Sequence, residues 1–278
     1  MKFIQATARR FWKINMTILL TNDDGFNAEG LAALKKRLLK DGHSVYVMAP
    51  CGNRSAVSHG MTFSSLDFKK MSETEWSCSG KPVDCVVAAL SSCIFPKKID
   101  AVVSGINAGA NIGTDVVYSG TCAAARQAVM MGVPGIALSI QPVGEGHYLV
   151  SGEADENLFI YEPMADFAAK NIETLVKLCR VNVPGAFVSV NALSLPEYKG
   201  VEFCPELSHR VYKDVVEIKE KNQPGEKGSF ESVFYGEVPV STYAKGNDFH
   251  SVVNGNVAVS LIKAEPVACA VDGIKFSL

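Results

Sequence analysis

The sequence predicts an α/β fold in which helices flank a mostly parallel sheet, with a β-rich extension at the C-terminal end. One observation is that short apolar runs alternate with segments of helical periodicity between residues 16 and 195. Another is that several of these runs end in glycine or small polar residues, as buried parallel strands do at their ligand-binding edge. A third is that only shorter β-like runs follow residue 195. Together these observations indicate a Rossmann-like core with an appended C-terminal portion.

Composition narrows the classes of function. The chain has 278 residues, of which 47% are hydrophobic and 20% charged, and this is typical of a globular protein. A formal net charge of -2 provides no basic field, so we expect no nucleic-acid polymer as a partner. No apolar run is long enough to span a membrane, and we expect no membrane partner. The eight cysteines include no C-x-x-C pair, and scattered thiols without a secretion signal predict a cytoplasmic protein.

Three segments are predicted along the chain. Residues 1–15 form an N-terminal extension that has basic residues but no continuous apolar segment, which argues against a secretory signal. A dispensable tail, an upstream start codon before Met16 and a short amphipathic anchor are the alternatives for it. Residues 16–195 form the catalytic core. Residues 196–278 are expected to pack on that core as a β-rich arm that makes oligomer contacts.

The core is predicted to begin with a βαβ unit. An apolar run that starts at Thr17 has the length of a buried strand. Residues 28–40 place leucines at helical spacing with basic residues outward, and residues 44–50 form a second strand that Pro50 ends. Such a crossover is right-handed and makes the two strands parallel.

The remaining elements follow from the same patterns. Helices are predicted over residues 82–92, 122–131 and 158–178, with Pro163 in the first turn of the last one. Strands are predicted over residues 99–104, 133–139 and 186–191. Shorter β pieces are predicted within 61–78 and over 211–218, 233–236 and 257–262, and loops over 51–60, 105–115 and 141–157.

Two adjacent acids, Asp23 and Asp24, follow the first strand directly, and Gly25 comes next. Neighbouring carboxylates repel each other unless a cation or hydrogen-bond donors compensate them. Oxygen ligands at a ligand-binding edge suit a hard divalent ion. The alternative to a metal site is an ordinary turn with no ligand, because asparagine, aspartate and glycine all favour turns.

Two later loops leave strands on the same predicted edge and add neutral oxygens. One carries Ser55, and the other carries Asn107 and Asn111. With Asp23 and Asp24, Ser55 and Asn107 make a set of two carboxylates, a hydroxyl and an amide oxygen. Such a set fits one Mg²⁺ or Mn²⁺ ion per subunit and leaves positions open for water and a substrate oxygen. Taken singly, Ser55 and Asn107 are also ordinary loop residues.

The segment Ser119-Gly120-Thr121 precedes a predicted helix, where free N–H groups and hydroxyls bind anions. Its alternative role is a helix N-cap, and both roles can hold at once. The glycines of the loop 105–115 also permit backbone amides to approach a phosphate closely. The chain has no G-x-G-x-x-G, no Walker A and no G-x-S-x-G motif, which disfavours a dinucleotide dehydrogenase, a P-loop NTPase and a serine hydrolase.

Acids, a metal and an anion site together indicate phosphoester hydrolysis. A bound metal lowers the pKa of a water and neutralises charge on the phosphoryl oxygens, while Asp23 or Asp24 orients or deprotonates that water. A phospho-aspartate intermediate is chemically possible, but the metal requires both acids. His59 and His209 are candidates for a general acid, although spacing demands neither.

Eight motifs in order resemble the survival protein SurE family, over residues 16–261. They read ILLTNDDG (18–25), AP (49–50), NRSA (53–56), GKPVDC (80–85), VSGINAGAN (103–111), YSGT (118–121), GNDFH (246–250) and NGNVAVSL (254–261). The resemblance implies metal ligands at Asp23, Asp24, Ser55 and Asn107, with phosphate contacts from Asn111 and residues 119–121. It implies dimers or tetramers that exchange C-terminal segments. It also implies removal of 5′- or 3′-phosphate from nucleotides, with short polyphosphate cut by some members.

The chain departs from the family pattern at residues 188–193 and at residues 208–210, both away from the metal motifs. These departures bear on base preference and oligomer contacts. A metal-dependent phosphomonoesterase for nucleoside monophosphates is therefore the main hypothesis. The alternatives are a hydrolase of polyphosphate or sugar phosphates and a non-catalytic nucleotide or metal sensor.

Overall fold

The computed structural model describes residues 15–143, 159–180, 185–212, 215–221, 228–235 and 240–266. All of the predicted N-terminal extension except Asn15 lies outside these ranges. Residues 144–157 of the predicted polar loop also lie outside them, as do Leu158, the first residue of the predicted helix 158–178, and Gly236, the last residue of the predicted β piece 233–236.

Thirteen strands, five α-helices and one 3₁₀ helix lie in the described ranges. The strands are β1 (Thr17–Thr21), β2 (Ser44–Pro50), β3 (Phe68–Lys70), β4 (Glu75–Cys78), β5 (Ala101–Ala108), β6 (Gly135–Gln141), β7 (Ala186–Leu193), β8 (Val201–Phe203), β9 (Arg210–Val211), β10 (Val215–Glu220), β11 (Phe230–Tyr235), β12 (Val240–Ser241) and β13 (Val257–Lys263). The helices are α1 (Glu29–Lys40), α2 (Pro82–Ser91), η1 (Gly113–Val117), α3 (Gly120–Met130), α4 (Glu162–Leu178) and α5 (Asp248–Val253). None of these helices combines the length and the apolar character needed to cross a membrane.

Nine strands form one sheet in the order β3-β4-β2-β1-β5-β6-β7-β13-β8. The six strands from β4 to β7 are parallel to their neighbours, and β3 and β13 run antiparallel to β4 and β7. The chain builds outward from β1 to β2 and then crosses to the other side of β1 to form β5. That reversal is a topological switch point, and ligands of open α/β sheets bind beside it at the carboxyl ends of the strands.

Helices cover both faces of the sheet and bury its apolar side chains. On one face α1 packs beside α4, and on the other α2 packs beside α3. The face of α1 that meets the sheet is formed by Leu31, Leu34 and Leu38, all of them buried at helical spacing. The mostly parallel sheet flanked by helices is therefore confirmed.

The helix α3 lies unusually close to the sheet because its sheet-facing residues are small. Ala123, Ala124 and Ala125 are fully buried. A Cβ atom at Gly135 of β6 would lie 1.9 Å from the carbonyl oxygen of Ala125, so a larger residue there would displace the helix. This packing fixes the position of the first turn of α3, which reaches the carboxyl edge of the sheet.

Three differences from the predicted elements have local physical causes. The strand β5 continues through residues 105–108, which were predicted as loop, because a bulge between Ser104 and Asn107 keeps the pairing with β6. In the C-terminal portion, α5 was not predicted, and the run 211–218 is divided between β9 and β10. The C-terminal portion is β-rich as predicted, and two of its strands, β8 and β13, belong to the central sheet.

Candidate active site

A tight turn after β1 sets the direction of the two acids. The side chain of Asn22 closes this turn: its Nδ2 donates to the carbonyl of Gly25 at 2.8 Å, and its Oδ1 accepts from the Gly25 N–H at 3.2 Å. Gly25 has a φ of 111°, which favours glycine. Asn22 and Gly25 thus form the turn without the acids, and Asp23 and Asp24 stay free for other contacts.

The first turn of α3 holds Asp23. The carboxylate of Asp23 accepts hydrogen bonds from both the hydroxyl and the backbone N–H of Thr121, the latter at 3.2 Å. Asp23 is only 4% exposed, and a Cβ atom at Gly120 would lie 2.9 Å from its Oδ2. Only glycine at position 120 therefore permits this approach. The positive end of the α3 dipole favours the ionised form of the carboxylate it meets.

Asp24 and Asn107 face the same place from β1 and β5. One oxygen of Asp24 accepts the Ala108 N–H at 3.1 Å. The Nδ2 of Asn107 donates to the carbonyl of Gly109 at 2.7 Å, and its Oδ1 lies 3.4 Å from the hydroxyl of Thr121. Because that hydroxyl also bonds Asp23, the amide oxygen of Asn107 is close to the acid pair. The structure brings together three of the four predicted metal ligands, all of them with oxygen donors.

Burial leaves the acid pair with uncompensated charge. Burial raises the pKa of Asp23, and the hydrogen bonds from Thr121 oppose that rise. Burial and the neighbouring charge of Asp23 raise the pKa of Asp24 to about 7. Within the described ranges, neither carboxylate has a lysine, arginine or histidine nitrogen within 4.0 Å. A hard divalent cation fits this donor set and would relieve the repulsion.

Ser55, the fourth predicted ligand, lies in the loop after β2. That loop is attached to the site on both sides of the serine: the Arg54 N–H donates to the Asp23 carbonyl at 2.6 Å, and the Ser58 N–H donates to the Tyr118 carbonyl at 2.9 Å. Ser55 itself is exposed, and its N–H donates to Asn53 Oδ1 at 2.7 Å. In the part of the chain that the structure describes, its hydroxyl makes no hydrogen bond to the acids.

The residues predicted to bind phosphate already make hydrogen bonds to other groups of the protein. Ser119 is the N-cap of α3, and its Oγ accepts the Cys122 N–H at 3.0 Å. The hydroxyl and the N–H of Thr121 both donate hydrogen bonds to the carboxylate of Asp23. Asn111 is tied to the neighbouring strands by Ser139, at 2.8 Å from its Nδ2, and by Asn191, whose Oδ1 accepts its N–H at 2.8 Å. The N-cap role of Ser119 is thus realised, which leaves the anion role open.

Neither candidate general acid contacts the acid pair in the described structure. The Nε2 of His59 lies 2.9 Å from the Oε1 of Gln127, which is well along α3 from the site. His209 is exposed, and its N–H donates to the hydroxyl of Thr242 at 2.9 Å.

Sequence reasoning did not assign structural roles to several residues that hold the site in place. Asn22 lies in the segment for which a turn was an alternative, and its three-residue spacing to Gly25 was the signal. Asp248 lies in the motif GNDFH, but nothing in the sequence indicated its partners: its carboxylate accepts the N–H of Gly113 at 2.6 Å and of Ser208 at 2.7 Å, and so ties the glycine-rich loop to the C-terminal portion. Asp115 was missed in the same way and bonds Arg210 and Tyr212.

The fold and this site define an open α/β protein with an oxygen-rich carboxylate site at the switch point between β1 and β5. The chain belongs to the survival protein SurE family, whose model matches residues 18–214. The resemblance of the motifs is thereby confirmed.

Individual relatives agree with this assignment. The chain is similar to the 5′-nucleotidase SurE of Treponema pallidum, with 45% identity over 186 residues that cover 66% of this chain and 93% of the relative. It is 36% identical to the 5′-nucleotidase SurE of Nitratidesulfovibrio vulgaris over 252 residues, or 89% and 87% of the two chains. The crystal structure of the SurE protein from Aquifex aeolicus matches with a TM-score of 0.70 and 29% identity, covering 90% of this chain and 94% of that one.

Proposed function

We propose that this protein is a divalent-metal-dependent 5′-nucleotidase that hydrolyses nucleoside monophosphates to nucleoside and phosphate; 3′-nucleotides are an additional candidate substrate. The observation that carries the proposal is the buried acid pair, which has no basic partner in the described ranges and faces the Asn107 oxygen at the switch point. The 5′-nucleotidase names of the curated relatives support the choice of substrate.

Asp23, Asp24, Asn107 and Ser55 would hold one Mg²⁺ or Mn²⁺ ion per subunit. When bound, the ion supplies a water of lowered pKa and neutralises phosphoryl charge. Thr121 keeps Asp23 oriented and favours its ionised form. Asp24 has one oxygen on the Ala108 N–H, which leaves the other to orient the attacking water or accept its proton.

We assign the phosphate of the substrate to the N-terminal turn of α3 and to the loop that carries Asn111. The N-terminal end of a helix favours a bound anion, and Ser119, Gly120 and Thr121 occupy that turn. Because the Thr121 N–H and hydroxyl already donate to Asp23 and the Cys122 N–H donates to Ser119, we expect the Ser119 hydroxyl and the Gly120 N–H to make the phosphate contacts. The close contact between Gly120 and Asp23 would bring a phosphate bound there next to the acids.

A substrate panel tests the proposal. Phosphate release is measured from 5′-AMP, 5′-GMP, 3′-AMP, tripolyphosphate and glucose 6-phosphate, with Mg²⁺ or Mn²⁺ and with excess EDTA. We expect metal-dependent release from the 5′-nucleotides. Release from tripolyphosphate or the sugar phosphate alone would instead indicate the alternative hydrolases, and binding of 5′-AMP without release would indicate a sensor.

We also propose that the protein assembles as a homodimer or homotetramer through residues 196–278. The C-terminal strands expose apolar side chains that a partner would cover, among them Phe203 at 55% and Ile218 at 65%. Light scattering after size exclusion measures the mass, and a monomer would contradict the proposal. The described cysteines are all free thiols, which supports a cytoplasmic location.

A further inference from the structure

A cleft of about 400 Å³ lies beside α3 and is separate from the acid pair. We call it the α3 cleft. Its walls carry the basic residues His59, Arg126 and Lys263, one acid, Glu265, and apolar groups that include Met130. Arg126 follows Thr121 by five residues, which places it roughly 7 Å farther along the helix and on a different face. The α3 cleft is therefore not part of the site that holds Asp23.

Arg126 is a partly buried cation without an anionic partner in the described structure. Its guanidinium lies over the ring of Phe187, 5.5 Å from the centroid, and burial lowers its pKa. The buried Arg210 and the partly buried Arg37 pair with aspartates, and Arg54 donates to backbone carbonyls, so Arg126 differs from all three. A ring face compensates a buried charge only in part. An anion in the cleft would give this guanidinium a charged hydrogen-bond acceptor.

The rest of the lining favours a small anion that has an organic part. Lys263 and Arg126 against Glu265 leave the wall with excess positive charge. The ring of His59 is fixed by Gln127 at 2.9 Å, so this part of the wall is formed before any ligand arrives. A guanidinium fork matches the oxygens of a phosphoryl group. The volume lies within the range of pockets for small molecules, and the apolar side chain of Met130 can cover the body of such a ligand.

We propose that the α3 cleft is a second binding site of this protein, which takes a small phosphorylated molecule through Arg126 and Lys263. The proposal does not depend on the proposed function, because it uses neither the acid pair nor a metal ion.

Calorimetric titration of the full-length, metal-stripped protein with pyrophosphate tests the proposal. Without metal the acid pair repels this probe, and the change of Kd in variants of the lining separates binding in the cleft from binding at the N-terminal turn of α3. Arg126→Gln should weaken binding roughly tenfold or more, since a charge-assisted hydrogen bond is lost. Glu265→Gln removes the negative charge of the wall and should tighten binding. Arg180→Gln is the matched control: it removes an exposed arginine outside the cleft and should leave the Kd within about twofold.

Three results would overturn the assignment: no heat with wild-type protein, an unchanged Kd in Arg126→Gln, or an equal loss in Arg180→Gln. Glu265 is exposed, so its variant should fold even where Arg126→Gln unfolds. If Arg126→Gln does not fold, tighter binding by Glu265→Gln supports the proposal and unchanged or weaker binding contradicts it.

Discussion

Two acidic clusters of this protein are built in opposite ways. In the cluster of Asp115 and Asp248, the chain itself provides the compensation: Arg210 and Tyr212 bond Asp115, and three backbone N–H groups bond Asp248. In the pair of Asp23 and Asp24, the described chain provides only Thr121 and the Ala108 N–H. The first cluster is complete, whereas the second has two carboxylates and, among the residues that the structure describes, no cation.

The difference separates a structural use of buried acids from a functional one. A buried carboxylate costs free energy unless it is paired or hydrogen-bonded. Burial raises the pKa of Asp115 as well, but the hydroxyl of Tyr212 and the charge of Arg210 oppose that rise, and the cluster joins η1 to β9. The acid pair has no such cation in the described ranges, and the pKa of Asp24 is consequently raised to about 7. This free-energy cost is expected at a functional site, where a bound ligand compensates the charge of the carboxylates.

The largest expected effect is on activity, from Asp24→Asn. We expect a loss of about a hundredfold to a thousandfold in kcat, because the substitution removes a metal ligand and a group that acts on the water. Phosphate release from 5′-AMP with saturating Mn²⁺ measures it. Asp67→Asn, at an exposed loop position, is the matched control and should retain full activity. Full activity in Asp24→Asn would remove Asp24 from the site.

A substitution in the Asp115 cluster should have the opposite effects: it should lower the stability of the fold and leave the activity unchanged. Arg210→Met leaves Asp115 buried without its cation, and we expect about 3–5 kcal/mol of lost stability in urea unfolding. The folded fraction should keep its kcat, because Arg210 contacts Asp115 rather than the acid pair. Combining Arg210→Met with Asp115→Asn should recover part of the stability. A double variant less stable than Arg210→Met would show that the charge is not the cause.

The sequence identified one cluster and not the other. Asp23 and Asp24 were recognisable because a local pattern, an apolar run followed by acids and glycine, places them at a strand end. The partners Asp115 and Arg210 are 95 positions apart, and no local periodicity connects them. The bulge that brings Asn107 beside Thr121 also depends on pairing between β5 and β6. The local elements were thus predictable, whereas the contacts that hold the site follow from tertiary packing.

The same Asp24→Asn variant should be more stable than the wild type when metal is absent. The pKa of Asp24 is raised in the folded protein, so the wild type loses stability as pH rises from about 4 to about 7. We therefore expect the variant to gain on the order of 2 kcal/mol at pH 8 and little at pH 4. Thermal unfolding of metal-stripped protein across this range measures the difference. A gain that is constant with pH would contradict the assignment to Asp24.

The smallest expected effect compares two helix caps, one in each region. Ser119 caps α3 beside the acid pair, and Asn247 caps α5 in the C-terminal portion through the His250 N–H at 2.8 Å. Either residue changed to alanine should cost about 1 kcal/mol of stability. Only Ser119→Ala should also raise the KM for 5′-AMP, because only its turn faces the proposed phosphate. Ser119→Thr keeps the hydroxyl and should restore both properties. An unchanged KM in Ser119→Ala would make Ser119 a cap alone, as Asn247 is.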